Sequence, residues 1–311
     1  MRKLSAPDIP GPFAQYNVRL APFTTWGVGG VAGTLFTPRN LGELVTAVRW
    51  ARDNAADFYV LGGGSNVLIS DGVIETPVIL TTGMADVAVR VSGEFVYLDC
   101  MSGAQLKNVL SLSVRNGWSG LECAAGIPGT VGGAVAGNAG TSQGFVGAAV
   151  ERITTVEEDG SVAEWHGREI DWAYRYCSLF TDAKRAAHEV TFRLRVTDDK
   201  SEVAKAMKSA MSGRKSQPVM SRTAGCVFRN PDGDSAGRLL DASGCKGMSV
   251  GGAKVSEAHA NFIENDGSCT ARDILILAEM CKKRVWEAFG TTLGFEVKFF
   301  GISEVCAYAT A

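Results

Sequence analysis

The chain has few histidines and no closely spaced cysteine pair. Three histidines occur among its 311 residues, and none of the eight cysteines forms a Cys-x-x-Cys pair. Protein zinc sites are typically built from such closely spaced cysteine and histidine ligands. The sequence therefore predicts no metal site.

Long apolar runs and a strong excess of one charge are also missing. No run of about 18 apolar residues is present, and no apolar stretch follows Arg2 and Lys3, so neither a membrane span nor a signal peptide is expected. The formal net charge of -2 gives no indication of binding to nucleic acid or to an anionic membrane. These absences favour a cytoplasmic protein with reduced cysteines, and nothing indicates an obligatory protein partner.

Helix and strand signals are mixed along the chain, which predicts an α+β fold. Asn40 with Glu43, and Ser102 with Gln105, are typical of helix starts, and Thr270 and Gly290 bound a long amphipathic helix. Shorter helices are predicted near 201–213 and 236–242. Apolar runs and alternation predict strands at 58–61, 67–69, 78–80, 87–91, 95–98, 153–156, 162–165, 190–196 and 293–300.

The pattern divides the chain into two main parts. We expect an irregular arm over 1–22, a two-part domain over 23–197 with subdomains of about 23–86 and 87–197, a smaller α/β domain over 198–302, and a tail over 303–311. The stretch 126–147 is so rich in glycine that a loop is predicted there.

Glycine is the abundant residue, and its clusters are the first functional signal. The first cluster directly follows a predicted strand and consists of Gly62, Gly63, Gly64, Ser65 and Asn66. Glycine leaves main-chain N–H groups open to phosphate oxygens, and the serine and asparagine add side-chain donors. The segment has neither the Walker pattern nor the Gly-x-Gly-x-x-Gly fingerprint. A tight turn explains this segment equally well when it is considered alone.

The second glycine cluster is the more informative one. The residues of interest in it are Gly126, Ile127, Pro128, Gly129, Thr130, Gly132, Gly133, Ala134, Asn138 and Gly140. A flexible linker would not contain its proline and its branched apolar residues, whereas several of its glycines allow a close main-chain approach. Two glycine-rich loops in one domain favour a dinucleotide cofactor with a pyrophosphate group.

Eight segments resemble those of the UDP-N-acetylenolpyruvoylglucosamine reductases, the MurB family. They are 25–30, 61–66, 126–140, 174–178, 224–231, 236–241, 251–262 and 295–297, in the family's order. The glycine loops alone would indicate only flavoproteins with this type of FAD domain, and the C-terminal segments indicate the reductase. The resemblance implies a two-part, PCMH-type FAD-binding domain followed by a smaller α/β substrate-binding domain. FAD would be held non-covalently by the glycine-rich residues named above.

The resemblance also implies the reaction. NADPH would supply hydride through FAD to UDP-N-acetylglucosamine enolpyruvate, which would give UDP-N-acetylmuramate for peptidoglycan synthesis, a process tied to cell shape and division. Negative charge that builds up on the substrate carboxylate must be stabilised, and a proton must then reach the adjacent carbon.

Three residues would carry this chemistry. Arg175 would grip the carboxylate with a guanidinium that cannot lose its charge, although a surface ion pair is the alternative. Glu296, expected on the last strand, would carry a proton and hydrogen-bond the developing charge; otherwise it is an edge carboxylate in water. Cys226 stands where many family members have serine, and it would donate the proton as a thiol, a stronger acid than an alcohol. Its alternative is a buried structural cysteine.

Substrate contacts and competing functions stay open. By family position, Asn230, Lys246 and His259 are candidates for binding the UDP-sugar, with Tyr174 and Lys215 as weaker ones; each could be an ordinary surface residue, and His259 could pack locally.

One competing function is a flavin oxidase with covalent FAD, for which Cys123 is the cysteine near a glycine loop. Another is a Cys226–His259 acyl transferase. The third is a sugar-nucleotide binding protein without activity.

Overall fold

The computed structural model describes residues 11–55, 57–141, 143–212, 217–218 and 222–302. The helices in these residues are α1 (Leu41–Ala55), α2 (Leu106–Asn116), α3 (Val131–Ala136), α4 (Ser178–Thr181), α5 (Lys200–Ser212), α6 (Ala236–Ala242) and α7 (Ala271–Phe289). The strands are β1 (Ala14–Arg19), β2 (Val31–Phe36), β3 (Tyr59–Leu61), β4 (Val67–Ile69), β5 (Val73–Ile74), β6 (Val78–Leu80), β7 (Val87–Ser92), β8 (Phe95–Met101), β9 (Trp118–Ser119), β10 (Gly140–Thr141), β11 (Gly144–Phe145), β12 (Val150–Glu157), β13 (Val162–His166), β14 (Trp172–Ala173), β15 (Tyr176–Cys177), β16 (Arg185–Val196), β17 (Ser249–Val250), β18 (Ala253–Val255), β19 (Ile263–Asn265) and β20 (Lys298–Phe300). The mixture confirms the predicted α+β class.

The chain forms two compact units that are interleaved in sequence. Among the described residues, unit 1 comprises those of 11–16, 34–63 and 76–212, and unit 2 comprises those of 17–33, 64–75 and 217–302. The domains predicted from the sequence are consecutive segments, each with a proposed binding function. Those domain bounds stay a prediction.

Unit 1 contains two hydrophobic clusters. In one cluster, α1 packs with buried residues of 14–84, including Phe36 and Ile79, and with Val156 and Ala186 of the larger sheet. In the other, α2, α3 and α5 pack against a six-stranded sheet in which β13, β12, β16, β8 and β7 follow one another and β9 pairs with β16. The first cluster contains residues from both predicted subdomains, so the division near residue 86 stays a prediction.

Unit 2 is built around α7. The helix begins at the predicted cap, where Thr270 Oγ1 accepts the Asp273 N–H at 3.1 Å, and Gly290 ends it in the left-handed conformation. Its buried face packs with α6 and the antiparallel sheet of β17, β18 and β19. Trp26 is fully buried in this core, and its Nε1–H donates to Ile263 O at 2.7 Å. In the same unit, β20 pairs in parallel with β4.

Four of the predictions about local structure are wrong. Residues 14–19 of the supposed irregular arm form β1. Ser102 does not cap α2; Gln105 precedes the helix, and the Ser102 main chain bonds His188 O and the Gly132 N–H instead. The glycine-rich stretch 126–147 contains α3, because Thr130 caps it and Val131 and Val135 anchor it in the core. The last strand is limited to β20, so Glu296 precedes it.

No helix among the described residues combines the length and the apolar character needed to span a membrane.

The start of α7 gives a first prediction. Both carboxylate oxygens of Asp71 accept N–H groups from its first turn, those of Ala271 at 2.8 Å and Arg272 at 3.0 Å. We expect Asp71→Ala to destabilise unit 2 by about 1–2 kcal/mol, because it removes two hydrogen bonds and a negative charge at a helix N-terminus. Thermal unfolding and amide hydrogen exchange over α7 measure the effect.

The matched control is Asp232→Ala, which removes another exposed aspartate of unit 2. Equal melting temperatures and equal exchange over α7 in the two variants would contradict the capping role.

Candidate functional site

The two predicted glycine loops meet in unit 1. A methyl group built on Gly63 would lie 2.9 Å from Gly129 Cα, and one built on Gly62 would lie 2.5 Å from Thr130 Oγ1. Contacts this short leave no room for a side chain. The glycines at 62 and 63 are therefore required by packing, whatever else they bind.

This contact leaves main-chain donors without acceptors. Within the described residues, the N–H groups of Gly63, Gly129 and Thr130 have no hydrogen-bond acceptor. Unpaired N–H groups on neighbouring glycine-rich segments form a site suited to phosphate oxygens. The residues present thus fit the diphosphate of a dinucleotide cofactor.

The rest of the second loop is held by the protein itself. The Gly132 N–H donates to Ser102 O at 2.8 Å, and the Gly133 N–H donates to Thr130 Oγ1 at 3.4 Å. Ala134 is buried, and Gly140 pairs with Phe145 in the hairpin of β10 and β11. Gly126 and Gly129 have φ angles of 74° and 111°, which favour glycine. Direct cofactor contacts by this part of the loop stay a prediction.

Asn138 connects the second loop to the hairpin of β14 and β15. Its side chain is buried; Nδ2–H donates to Ala173 O at 2.8 Å, and Oδ1 accepts the Gly147 N–H at 3.1 Å. The sequence suggests a cofactor contact for this residue, whereas these bonds tie two protein segments together. Nothing in the local sequence signals this role, because its partners lie up to 35 residues away.

Arg175 lies in the two-residue turn of that hairpin. Its φ angle of 55° is rare for a residue with a side chain, and its guanidinium lies 5.2 Å from the Tyr174 ring centroid. Nη1–H donates to Gly140 O at 3.5 Å. Strained residues of this kind cluster at functional sites. The structure thus brings Arg175, Tyr174 and the end of the second glycine loop together within unit 1.

Cys226 and Glu296 lie on neighbouring main-chain segments of unit 2. The Glu296 N–H donates to Val227 O at 2.9 Å, and Phe228 forms a bridge with Phe295. Asn66 Nδ2–H donates to Glu296 O at 3.2 Å, so this predicted phosphate donor helps to hold the Glu296 segment. Both candidate residues are half-buried.

Asn261 fixes the Cys226 segment and is missed by the sequence reasoning. Its side chain is 2% exposed and bonds both main-chain groups of Phe228: Oδ1 accepts the N–H at 2.9 Å, and Nδ2–H donates to the O at 2.8 Å. Its main-chain O accepts the Val227 N–H at 2.9 Å. Three bonds from one residue hold the chain directly after Cys226.

Three predicted substrate residues surround helix α6. Asn230 Oδ1 accepts the Ala236 N–H at 3.0 Å, Lys246 Nζ pairs with Asp241 Oδ2 at 2.7 Å, and a methyl group on Gly237 would lie 3.0 Å from His259 Cε1. The His259 ring packs on Phe262, and burial lowers the pKa of its imidazole. It is therefore mostly neutral near pH 7. Local packing explains part of its environment.

The remaining predicted residues are less informative. Gly64 and Ser65 lie in unit 2 at the end of the first loop, and Thr25 N–H donates to Gly64 O at 3.0 Å. Lys215 lies outside the described residues. Cys123 is buried beside Gly144, and burial raises the pKa of its thiol to about 11, which disfavours a reactive thiolate there.

Comparisons with known proteins identify two domain families in the chain. Residues 32–165 match the model of an FAD binding domain, and residues 217–300 match that of the UDP-N-acetylenolpyruvoylglucosamine reductase C-terminal domain. The chain is 38% identical to UDP-N-acetylenolpyruvoylglucosamine reductase of Moorella thermoacetica, over 92% of each chain. It is 35% identical to that of Carboxydothermus hydrogenoformans, over 92% of this chain and 93% of the relative.

A solved structure extends the similarity to the fold. The reductase (MurB) from Thermus caldophilus superposes with a TM-score of 0.78 and 35% identity, covering 93% of this chain and all of that one. Sequence identity over nearly the whole length and a common fold together place this chain in the UDP-N-acetylenolpyruvoylglucosamine reductase family.

Proposed function

We propose that this protein catalyses the NADPH-dependent reduction of UDP-N-acetylglucosamine enolpyruvate to UDP-N-acetylmuramate. The observation that carries the proposal is the cradle of unpaired N–H groups at Gly63, Gly129 and Thr130, within a family that has an FAD-binding and a reductase C-terminal domain. The reaction is a step in the synthesis of peptidoglycan precursors, and it accounts for both glycine loops, which an acyl transferase leaves unexplained.

The cofactor is FAD, held non-covalently. FAD, when bound, supplies a hydride carrier between NADPH and the enolpyruvyl double bond. Gly63, Gly129 and Thr130 would bind its diphosphate oxygens through their N–H groups. Within unit 1, the packing of both loops fixes these donors before the cofactor arrives, so little ordering is required on binding.

Arg175 would bind the substrate carboxylate. As hydride reaches the double bond, negative charge grows on that carboxylate, and a permanently charged guanidinium stabilises it most when the charge is largest. The left-handed turn and the contact with the Tyr174 ring restrict where the guanidinium can lie. Such restriction is needed because electrostatic catalysis depends on groups placed before the reaction.

Glu296 and Cys226 would complete the reduction. Glu296, as a carboxylic acid, would donate a hydrogen bond to the same developing charge, and the Cys226 thiol would transfer its proton to the carbon next to the one that receives hydride. The resulting thiolate regains a proton from water. Neighbouring main-chain segments hold the two residues, which supports a joint role.

Other parts of the proposal concern the surroundings of the reaction. Asn230, Lys246 and His259 around α6 are proposed UDP-sugar contacts, together with Tyr174 and Lys215. We further propose a cytoplasmic location and activity without an obligatory protein partner.

NADPH oxidation measured with and without UDP-N-acetylglucosamine enolpyruvate tests the function as a whole. A flavin-containing preparation that binds the sugar nucleotide but oxidises no NADPH would indicate a binding protein instead.

Cys226 gives the sharpest prediction about the chemistry. We expect Cys226→Ser to retain turnover within about tenfold of the wild type, since a hydroxyl can still deliver a proton, and Cys226→Ala to lose at least about 100-fold. Stopped-flow absorbance in the presence of substrate, with product analysis, locates the loss after hydride transfer. Turnover of the alanine variant near the wild-type value would remove Cys226 from the mechanism.

Gly63 gives a prediction about the cofactor. In Gly63→Ala the new methyl group would lie 2.9 Å from Gly129 Cα, so the two loops must separate and the N–H cradle must widen. We expect flavin affinity to fall at least about tenfold, as measured by quenching of flavin fluorescence during titration of the apoprotein.

Gly72→Ala is the control for this variant, because a methyl group there would contact nothing within 4 Å. If both alanine variants bind flavin as tightly as the wild type, the cradle is not the diphosphate site.

A further inference from the structure

The Asn138 side chain forms a buried bridge between two main-chain segments of unit 1. It is 2% exposed, its Nδ2–H donates to Ala173 O at 2.8 Å, and its Oδ1 accepts the Gly147 N–H at 3.1 Å. Because the asparagine side chain is short and both atoms of its amide are hydrogen-bonded, it fixes the distance between the two main-chain groups that it joins. The φ angle of 39° at Asn138 is unusual for most residues but is tolerated by asparagine.

The segment held by Nδ2 is the one that carries Arg175. Ala173 ends β14, and Tyr174 and Arg175 form the turn to β15. This hairpin has two residue pairs, which is too short to be stable by itself. The left-handed backbone at Arg175 adds strain that the surroundings must balance.

The segment on the other side of Asn138 also contacts the hairpin. A methyl group built on Gly147 would lie 2.5 Å from Trp172 Cε3 and 2.8 Å from Asn138 Oδ1, so the Trp172 ring packs directly on the Gly147 main chain. Trp172 Nε1–H donates to Gly167 O at 3.0 Å. Both residues of β14 are therefore held in place: Ala173 by the hydrogen bond from Asn138, and Trp172 by the packing of its ring on Gly147.

We propose that Asn138 is a positioning residue for Arg175, which sets the place of the guanidinium through Ala173. The proposal rests on the proposed role of Arg175 toward the substrate carboxylate. It replaces the cofactor contact that the sequence suggests for this side chain. A hydrogen bond from Nδ2 to a main-chain oxygen can be removed selectively, which makes the assignment testable.

The test is Asn138→Asp. The carboxylate keeps an acceptor for the Gly147 N–H but cannot donate to Ala173 O and repels it, so the hairpin is released on one side only. We expect faster amide hydrogen exchange in 172–177 with flavin retained. We also expect the rate at which the enolpyruvyl substrate reoxidises the reduced enzyme to fall about 10- to 100-fold, since small displacements of a catalytic group have effects of this size. Flavin reduction by NADPH should be unchanged.

A double-mutant cycle distinguishes positioning from general damage. If Asn138 acts through Arg175, the Asn138→Asp change should cause no further loss of the reoxidation rate in an Arg175→Ala background. Additive losses would overturn the proposal. Unchanged exchange over 172–177, or equal losses in flavin reduction and reoxidation, would also overturn it, the latter because a cofactor contact predicts such a pattern.

Asn265→Asp is the matched control. Asn265 is also buried, and its Nδ2–H donates to Trp26 O at 2.7 Å, so the same loss of a donor should lower stability without changing hairpin exchange. Should Asn138→Asp fail to fold, Gly147→Ala takes its place, because its methyl group displaces the Trp172 ring and the Asn138 amide. The same exchange and rate changes are then expected, and their absence would overturn the proposal.

Failure of the proposed function has a different signature. It would appear in the wild type, as an absence of substrate-dependent NADPH oxidation. The hydrogen-exchange result does not depend on that activity and tests the Asn138 bridge in either case.

Discussion

The main-chain contact between Gly63 and Gly129 is the constraint on which the organisation of unit 1 depends. A side chain at residue 63 would collide with Gly129 Cα, so the two loops can meet only as bare backbone. The core supports the second loop from behind: the Gly132 N–H is bonded to Ser102 at the end of β8, and α3 is anchored by Val131 and Val135. The N–H groups of Gly63, Gly129 and Thr130, which have no acceptor among the described residues, are the ones left for an anion. The proposed cofactor site is thus a consequence of how the loops pack.

Two buried asparagines fix the main-chain segments that carry the proposed catalytic residues Arg175 and Cys226. Asn138 holds Ala173 two residues before Arg175, and Asn261 holds Phe228 two residues after Cys226. In both cases the amide bonds main-chain groups of a neighbouring residue rather than the catalytic side chain itself. Arginine and cysteine contribute charge and acidity, and main-chain geometry determines where these act. A reaction that needs charge stabilisation and a well-timed proton depends on such fixed placement.

The sequence predicts the parts of this structure that local signals control. The starts of α1 and α7 follow from Asn40 and Thr270, whose side chains accept the N–H groups of Glu43 and Asp273. Ser102 shows the same capping pattern in the sequence. Its main chain instead forms hydrogen bonds with His188 and Gly132, which are distant in sequence. The glycine content of 126–147 favours a loop and gives no sign of α3. Buried valines stabilise this helix. The contacts of Asn138 and Asn261 span 35 and 33 residues, so no local pattern reveals them.

The interleaving of the chain explains why the last third cannot be understood as a separate piece. A fragment beginning at residue 198 would lack Trp26 and β4. Ile263 O would then lose the indole N–H, Asn265 Nδ2 would lose Trp26 O, and β20 would lose its parallel partner. Buried polar groups without partners are costly, so the core around α7 requires residues 17–33 and 64–75. Since Asn66 also bonds Glu296 O, the residues after Gly63 serve the unit that carries Cys226 and Glu296. The first glycine loop is therefore divided between the units, with Gly62 and Gly63 in unit 1 and Gly64, Ser65 and Asn66 in unit 2.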